Sequence, residues 1–163
     1  MSTTFNIDEI LQIAEQIERN GARFYRKAAG LTADEGVTAL FERLAAMEDQ
    51  HLLTFAELRR SGPSGSPPLD PDGAVAPYLE AVLGGHVFDY RSDPTAWLDG
   101  DVDTVAILDR AIQMEKDSVV FYVGLRDANP LDFGKQRIDD VIAEELKHVT
   151  VLSQEKARLQ GAG

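Results

Sequence analysis

Glu145-Leu146-Lys147-His148 repeats the polar pattern of Glu48-Asp49-Gln50-His51, and a lone glutamate stands thirty positions ahead of each, at Glu115 and Glu18. One offset of 97 residues relates the two sets: 18 with 115, 48 with 145, 51 with 148. The same offset matches Ile10 with Ile107, Leu11 with Leu108, Ala14 with Ala111, Gln16 with Gln113, Phe24 with Phe121, Tyr25 with Tyr122 and Ala46 with Ala143. Any two amphipathic helices share apolar positions, so the isoleucines and leucines carry little weight. Shared acids, histidines and tyrosines do not follow from amphipathicity. The sequence therefore reads as two copies of one helix pair, each supplying a lone Glu and a Glu-x-x-His.

Hydrophobic periodicity lays out the helices. Asn6-Ile7-Asp8-Glu9 has the form of a capping box, and a stripe then runs through Ile7, Leu11, Ala14, Glu18, Gly21, Tyr25 and Ala28. Gly30 ends it. Thr32-Ala33-Asp34-Glu35 offers a second capping box, for a helix whose stripe is Leu40, Leu44, Met47/Glu48, His51, Phe55 and Leu58. The short turn between them makes the first two helices antiparallel neighbours. A third helix is expected from about Asp103 to Arg126 along Leu108, Ala111, Glu115, Ser118, Tyr122 and Leu125. Asn129-Pro130 then reads as the opening of a fourth, along Ile138, Val141, Glu145, His148 and Leu152, which ends between Leu159 and Gly163.

Between Ser61 and Asp101 the pattern breaks. Ser61 to Pro68 and Pro71-Asp72-Gly73 read as a flexible linker, and a weak helical signal at Tyr78–Leu83 stops at Gly84-Gly85. Some forty residues are too many for a bundle turn. They suit a long crossover that starts the second helix pair at the opposite end of the molecule. The expected architecture is all-α: one four-helix domain over residues 1–163, with helix pairs 6–60 and 102–160 joined by a crossover over 61–101.

A chain of 163 residues, 44% of them hydrophobic, is the right size for one well-buried core. No apolar run approaches a membrane span, and Met1-Ser2-Thr3-Thr4-Phe5 lacks the features of a secretory signal, so a cytoplasmic location is expected. The net charge of −12 argues against nucleic-acid or anionic-membrane partners, which are bound through spare Lys and Arg. The absence of cysteine excludes disulfides, thiol chemistry, iron–sulfur clusters and thiolate-bound zinc in this chain.

The chemistry lies in the phase of the polar residues. Glu18, Glu48, His51, Glu115, Glu145 and His148 all fall on apolar stripes, so each should point into the core. A buried unpaired carboxylate costs several kcal/mol or changes its pKa to stay neutral, and four together repel. Two divalent cations remove the conflict. Carboxylate oxygen and imidazole nitrogen suit iron, with manganese or zinc as substitutes, and a Glu three residues before a His puts both on one helix face.

At these residues the chain resembles the rubrerythrin and wider ferritin-like di-iron family, over nearly all of its length except the crossover. The resemblance implies that Glu48 and Glu145 bridge two irons, that Glu18 and Glu115 are terminal carboxylates, and that His51 and His148 bind one iron each. It also sets Tyr25 and Tyr122 beside the centre as supporting, catalytically relevant tyrosines; a core aromatic whose phenol needs some partner is the alternative reading. Two departures stand out. Rubrerythrins carry an additional carboxylate where this chain has Ser118, the repeat partner of Gly21, and they usually append a cysteine-bound rubredoxin iron. Four Glu and two His are closer to the ligand set of bacterioferritins, whereas the Gly85-His86-Val87-Phe88 stretch is similar to rubrerythrin-like proteins.

The expected function is a di-iron redox protein that reduces peroxide with electrons from a separate, rubredoxin-like donor, and that works as a homodimer. Iron handling by Fe(II) oxidation is the alternative, and a non-catalytic metal-sensing bundle the third. His86 reads as a loop histidine, Met47 and Met114 as core filling, Trp97 as the anchor of the crossover, and Asp49, Asp117, Asp140 and Glu144 as solvated surface.

Overall fold

The computed structural model describes residues 6–63, 77, 78, 81, 90–128 and 132–161. Among these are four long helices, α1 (Ile7–Ala29), α2 (Glu35–Ser61), α3 (Thr104–Ala128) and α4 (Lys135–Leu159), a 3₁₀ turn at Ala96–Leu98, and no strand. Asn6 caps α1 as expected: its side chain accepts from Glu9 N–H while Glu9 accepts from Asn6 N–H, an arrangement worth about 1 kcal/mol. The cap of α2 differs from expectation. Asp34, not Thr32, accepts from Val37 N–H, and Thr32 instead accepts from the Asp34 N–H. A carboxylate satisfies the first turn and its dipole better than a hydroxyl. Asp103 caps α3 through Ala106 N–H.

The start of α4 also departs from the proline reading. Residues 129–131 lie outside the described set, but Asp132 and Gly134 have positive φ, at 52° and 70°, so the helix begins only at Lys135. Gly134 is required twice over. Its left-handed backbone favours glycine, and a Cβ there would stand 2.6 Å from Leu58 Cδ2.

Ion pairs at the helix ends show which ends are neighbours. Arg59, late in α2, pairs with Asp8 and Glu15, early in α1, so the two run antiparallel. Lys156 near the end of α4 meets Asp109 near the start of α3, and Arg158 reaches Asp34 at the head of α2. Thr104, which opens α3, touches Thr32 in the α1–α2 turn. Thus α2 ends at one end of the bundle and α3 starts at the other, so residues 61–104 join opposite ends, the long crossover anticipated. At 1.5 Å per residue, the 27 residues of α2 span about 40 Å.

The apolar core divides into two layers. One contains Ile10, Leu11, Ile17, Phe55, Phe121 and Ile138; the other contains Phe24, Val37, Phe41, Leu98, Ile107 and Leu152. Between them lies a buried polar layer with Glu18, Glu48, His51, Glu115, Glu145 and His148. No helix among the described residues is long and apolar enough to cross a membrane.

Candidate metal centre

Each helix delivers its share of the polar layer from a stripe that is otherwise apolar. Glu18 comes from α1, Glu48 and His51 from α2, Glu115 from α3, and Glu145 and His148 from α4; none is more than 4% exposed. They fall into two groups, Glu18–Glu48–His51–Glu145 and Glu48–Glu115–Glu145–His148, each with one potential ligand atom per residue within 4.8 Å of the others. Glu48 and Glu145 belong to both. All six residues singled out in the sequence therefore meet.

Both histidines turn Nδ1 toward the acids. His51 Nδ1 lies 2.8 Å from Glu145 and 3.5 Å from Glu18. His148 Nδ1 lies 3.0 Å from Glu145, 3.4 Å from Glu48 and 3.5 Å from Glu115. The rings stack, with centroids 5.7 Å apart. Close as these contacts are, they lack hydrogen-bond geometry: Glu18 Oε2, Glu48 Oε1, both Glu145 oxygens, both His148 nitrogens and His51 Nδ1 are buried without a hydrogen-bond partner.

Both tyrosines bond to acids of the layer. Tyr25 on α1 donates to Glu115 on α3, and Tyr122 on α3 donates to Glu18 on α1, so the repeat appears as a crosswise pair of phenol–carboxylate bonds. Burial and then the adjoining carboxylates, Glu115 for Tyr25 and Glu18 for Tyr122, push both phenols well above their ordinary pKa, which keeps them as donors.

Without cations the layer is neutralised by protons. Burial, with repulsion from Glu145 and Glu18, drives Glu48 well above the carboxylate range. Burial and the Glu115 and Glu18 charges push Glu145 up to about 8. Burial alone would lower the histidines, but Glu145 and Glu18 raise His51 to about 11, and Glu115 and Glu145 raise His148 to about 9. Burial also works upward on Glu115, where Glu145, His148 and Tyr25 outweigh it and hold the carboxyl low.

On the α1–α3 side the layer borders a cavity of about 50 Å³, lined by Gly21, Tyr25, Glu48, Glu115, Ser118 and Tyr90 among others. Gly21 is what lets Glu48 lie here: a Cβ on it would come within 2.7 Å of Glu48 Oε2. The Ser118 hydroxyl donates to Met114 O. Residues 90–99 are fastened over this side by Asn20 to Tyr90 O at 2.9 Å, Lys27 to Thr95 O at 3.1 Å, and the Arg23–Asp93 and Lys27–Asp99 ion pairs.

No family model and no curated protein matches the sequence. Among solved structures, the chain is similar to a Thermotoga maritima protein provisionally assigned as a ferritin-like diiron-carboxylate protein, with a TM-score of 0.74, 22% identity, and coverage of 96% of this chain and 97% of that one. The chain has the ferritin-like fold.

Three residues of this ferritin-like bundle behave differently from their sequence reading. Glu144, a surface residue by its position in the sequence, places Oε2 at 2.8 Å from His51 Nε2. It sits one position off the α4 stripe, and helix-edge side chains reach a neighbouring helix; a glutamate flanking a stripe position opposite a histidine was the available signal. Trp97 is exposed with Arg110 stacked 4.9 Å from its ring, while the adjacent Leu98 is the buried anchor. Asp117 is partly buried, and burial raises its pKa against the hydrogen bond from Gln113. The remaining readings are plainer. Asp49 pairs with Arg26, Asp140 accepts from Gln136, Met47 and Met114 are partly buried, and His86 lies outside the described residues.

Proposed function

We propose that this chain holds two iron ions through Glu18, Glu48, His51, Glu115, Glu145 and His148 and reduces peroxide with electrons from a separate donor. The observation that carries the reading is the set of seven buried nitrogen and oxygen atoms left without hydrogen-bond partners between two apolar layers. Desolvating that many polar atoms costs several kcal/mol unless a ligand satisfies them, and hard oxygen donors with two imidazoles suit iron. The Thermotoga maritima protein's description as a diiron-carboxylate protein supports the choice of metal.

Glu48 and Glu145, common to both groups, would bridge; Glu18 and His51 would complete one position, Glu115 and His148 the other. Bound iron would supply the reversible Fe(II)/Fe(III) change, while the protein controls geometry and access. Tyr122 and Tyr25 hold Glu18 and Glu115 by their hydroxyl protons and leave the remaining carboxylate oxygens for the ions. The cavity beside Gly21 and Ser118 is large enough for a molecule of a few atoms, such as hydrogen peroxide or dioxygen. Peroxide reduction to water consumes two electrons and two protons per molecule, and without cysteine the chain has no rubredoxin iron of its own to return the electrons.

Ser118 favours a second reading, Fe(II) oxidation by dioxygen. Position 118 holds a serine, whose hydroxyl donates to Met114 O, so the four glutamates and two histidines gain no fifth carboxylate there. Stopped-flow mixing of anaerobic, iron-loaded protein with each oxidant separates the two. Faster oxidation by peroxide is expected; much faster oxidation by dioxygen, with Fe(II) consumed beyond two per chain, would replace peroxide reduction with iron oxidation. A homodimer in the cytoplasm completes the proposal, and light scattering distinguishes it from the hollow cage that iron storage needs.

A further inference from the structure

The internal repeat fails at one position that bears on the centre. Residue 144 of the second half corresponds to residue 47 of the first, and these are Glu144 and Met47. Glu144 Oε2 stands 2.8 Å from His51 Nε2 across the α2–α4 interface. Nε2 of His148 is buried with no hydrogen-bond partner. A thioether is a weak acceptor, so Met47 is no substitute for the carboxylate that its repeat partner supplies.

We propose that Glu144 is a positioning residue that makes the two metal positions unequal, so that the Glu18–Glu48–His51–Glu145 position fills before the Glu48–Glu115–Glu145–His148 position. The inference rests on the two-ion reading above. Glu144 accepts at His51 Nε2 and so fixes the ring with Nδ1 toward Glu145 and Glu18, the orientation a metal requires. His148 lacks this support. Its Nδ1 faces Glu145, Glu48 and Glu115 in the same way, but no acceptor holds the ring at Nε2 or satisfies the proton that Nε2 keeps once Nδ1 binds an ion. A carboxylate on the remote nitrogen also strengthens an imidazole ligand, and losing such a partner costs about 10- to 100-fold in metal affinity. The Glu144 side chain is 44% exposed, so solvent screening puts the effect near the lower end, about tenfold.

Two ions in one bridged site repel, and stepwise binding alone would appear in a symmetric centre too. The order must be read at the histidines. Long-range proton–nitrogen NMR of the full chain titrated with Zn(II) does this, because only three histidines are present and His86→Gln removes the third signal. The first equivalent should move His51 Nδ1 to its metal-bound position while His148 waits for the second. Glu144→Ala should lower the first affinity about tenfold and abolish the order, while the metal-free protein stays folded. Met47→Glu should advance His148. His148 moving first or in step with His51, or an unchanged order in Glu144→Ala, would overturn the proposal. Zinc that moves neither histidine would remove the two-ion reading beneath it.

Discussion

Replacing Gly21 with alanine separates the demands of the fold from those of the polar layer. Gly21 lies inside α1, where alanine gains about 0.5–1 kcal/mol of helix stability. Its new Cβ would stand 2.7 Å from Glu48 Oε2, 3.2 Å from Cδ and 3.3 Å from Cγ. The nearest atom is the end of a rotatable side chain, so the carboxylate can swing aside, and the cost falls on Glu48's position rather than on backbone. Overpacking of about 1–3 kcal/mol is therefore mostly relieved in the metal-free protein and offset by the helix gain, leaving stability within about 1 kcal/mol of wild type. The metal-loaded protein has no such freedom, because Glu48 belongs to both ligand groups. Affinity should fall at least about tenfold, which is about 1.4 kcal/mol of metal-linked stability and about 3–6 °C of melting temperature in a domain of this size. Differential scanning calorimetry with and without chelator, alongside isothermal titration with Zn(II), reads both quantities. Gly30→Ala is the control, since its Cβ would make an ordinary 3.5 Å contact with Lys27 O at the end of α1. A Gly21→Ala protein that binds metal with wild-type affinity would refute the argument that this glycine makes room for Glu48.

The metal-free protein should lose stability as pH rises. Glu145, raised to about 8, and Glu48, also raised, are protonated in the fold but ionised when unfolded, and His51 at about 11 and His148 at about 9 contribute stability that is full below their unfolded pKa and lost as pH rises through the folded values. Glu115, held low, acts in the opposite sense and matters only toward acid. Metal must displace these protons, so the loaded and metal-free melting temperatures should diverge between about pH 6 and pH 8; convergence over that range would mean that the acids and histidines do not share a buried site. Tyr122→Phe strips Glu18 of its buried donor and should destabilise the metal-free protein by about 1–3 kcal/mol in urea, whereas no change would show the phenol–carboxylate bond to be dispensable.

The helix stripes were legible because burial in a bundle acts on every third or fourth residue, and a charged residue that keeps phase with leucines has to be buried too. Glu18 to His148 were found this way, and the 97-residue offset carried the pairing that a single Glu-x-x-His does not. Tyr25 and Tyr122 were legible as positions, but their partners were not, since the bonds run crosswise between α1 and α3, 90 and 104 residues apart. The structure decides local competitions that the sequence leaves even. Thr32 and Asp34 both fit an N-cap, and Asp34 wins with Arg158 from α4 beside it. Trp97 outranks Leu98 in size, yet the leucine is the residue of the 3₁₀ turn that is buried. Glu144 was only faintly legible, because its place beside the α4 stripe gains meaning from the ring across the α2–α4 interface.

The central claim is a two-ion centre, and the most direct measurement is anaerobic loading with Fe(II), removal of unbound iron, and metal analysis per chain together with the optical spectrum after oxidation. The account predicts two irons per chain in wild type, with a marked loss in Glu48→Ala or Glu145→Ala, since each of these acids belongs to both ligand groups. A stoichiometry of one or zero, with all six residues intact, would contradict it.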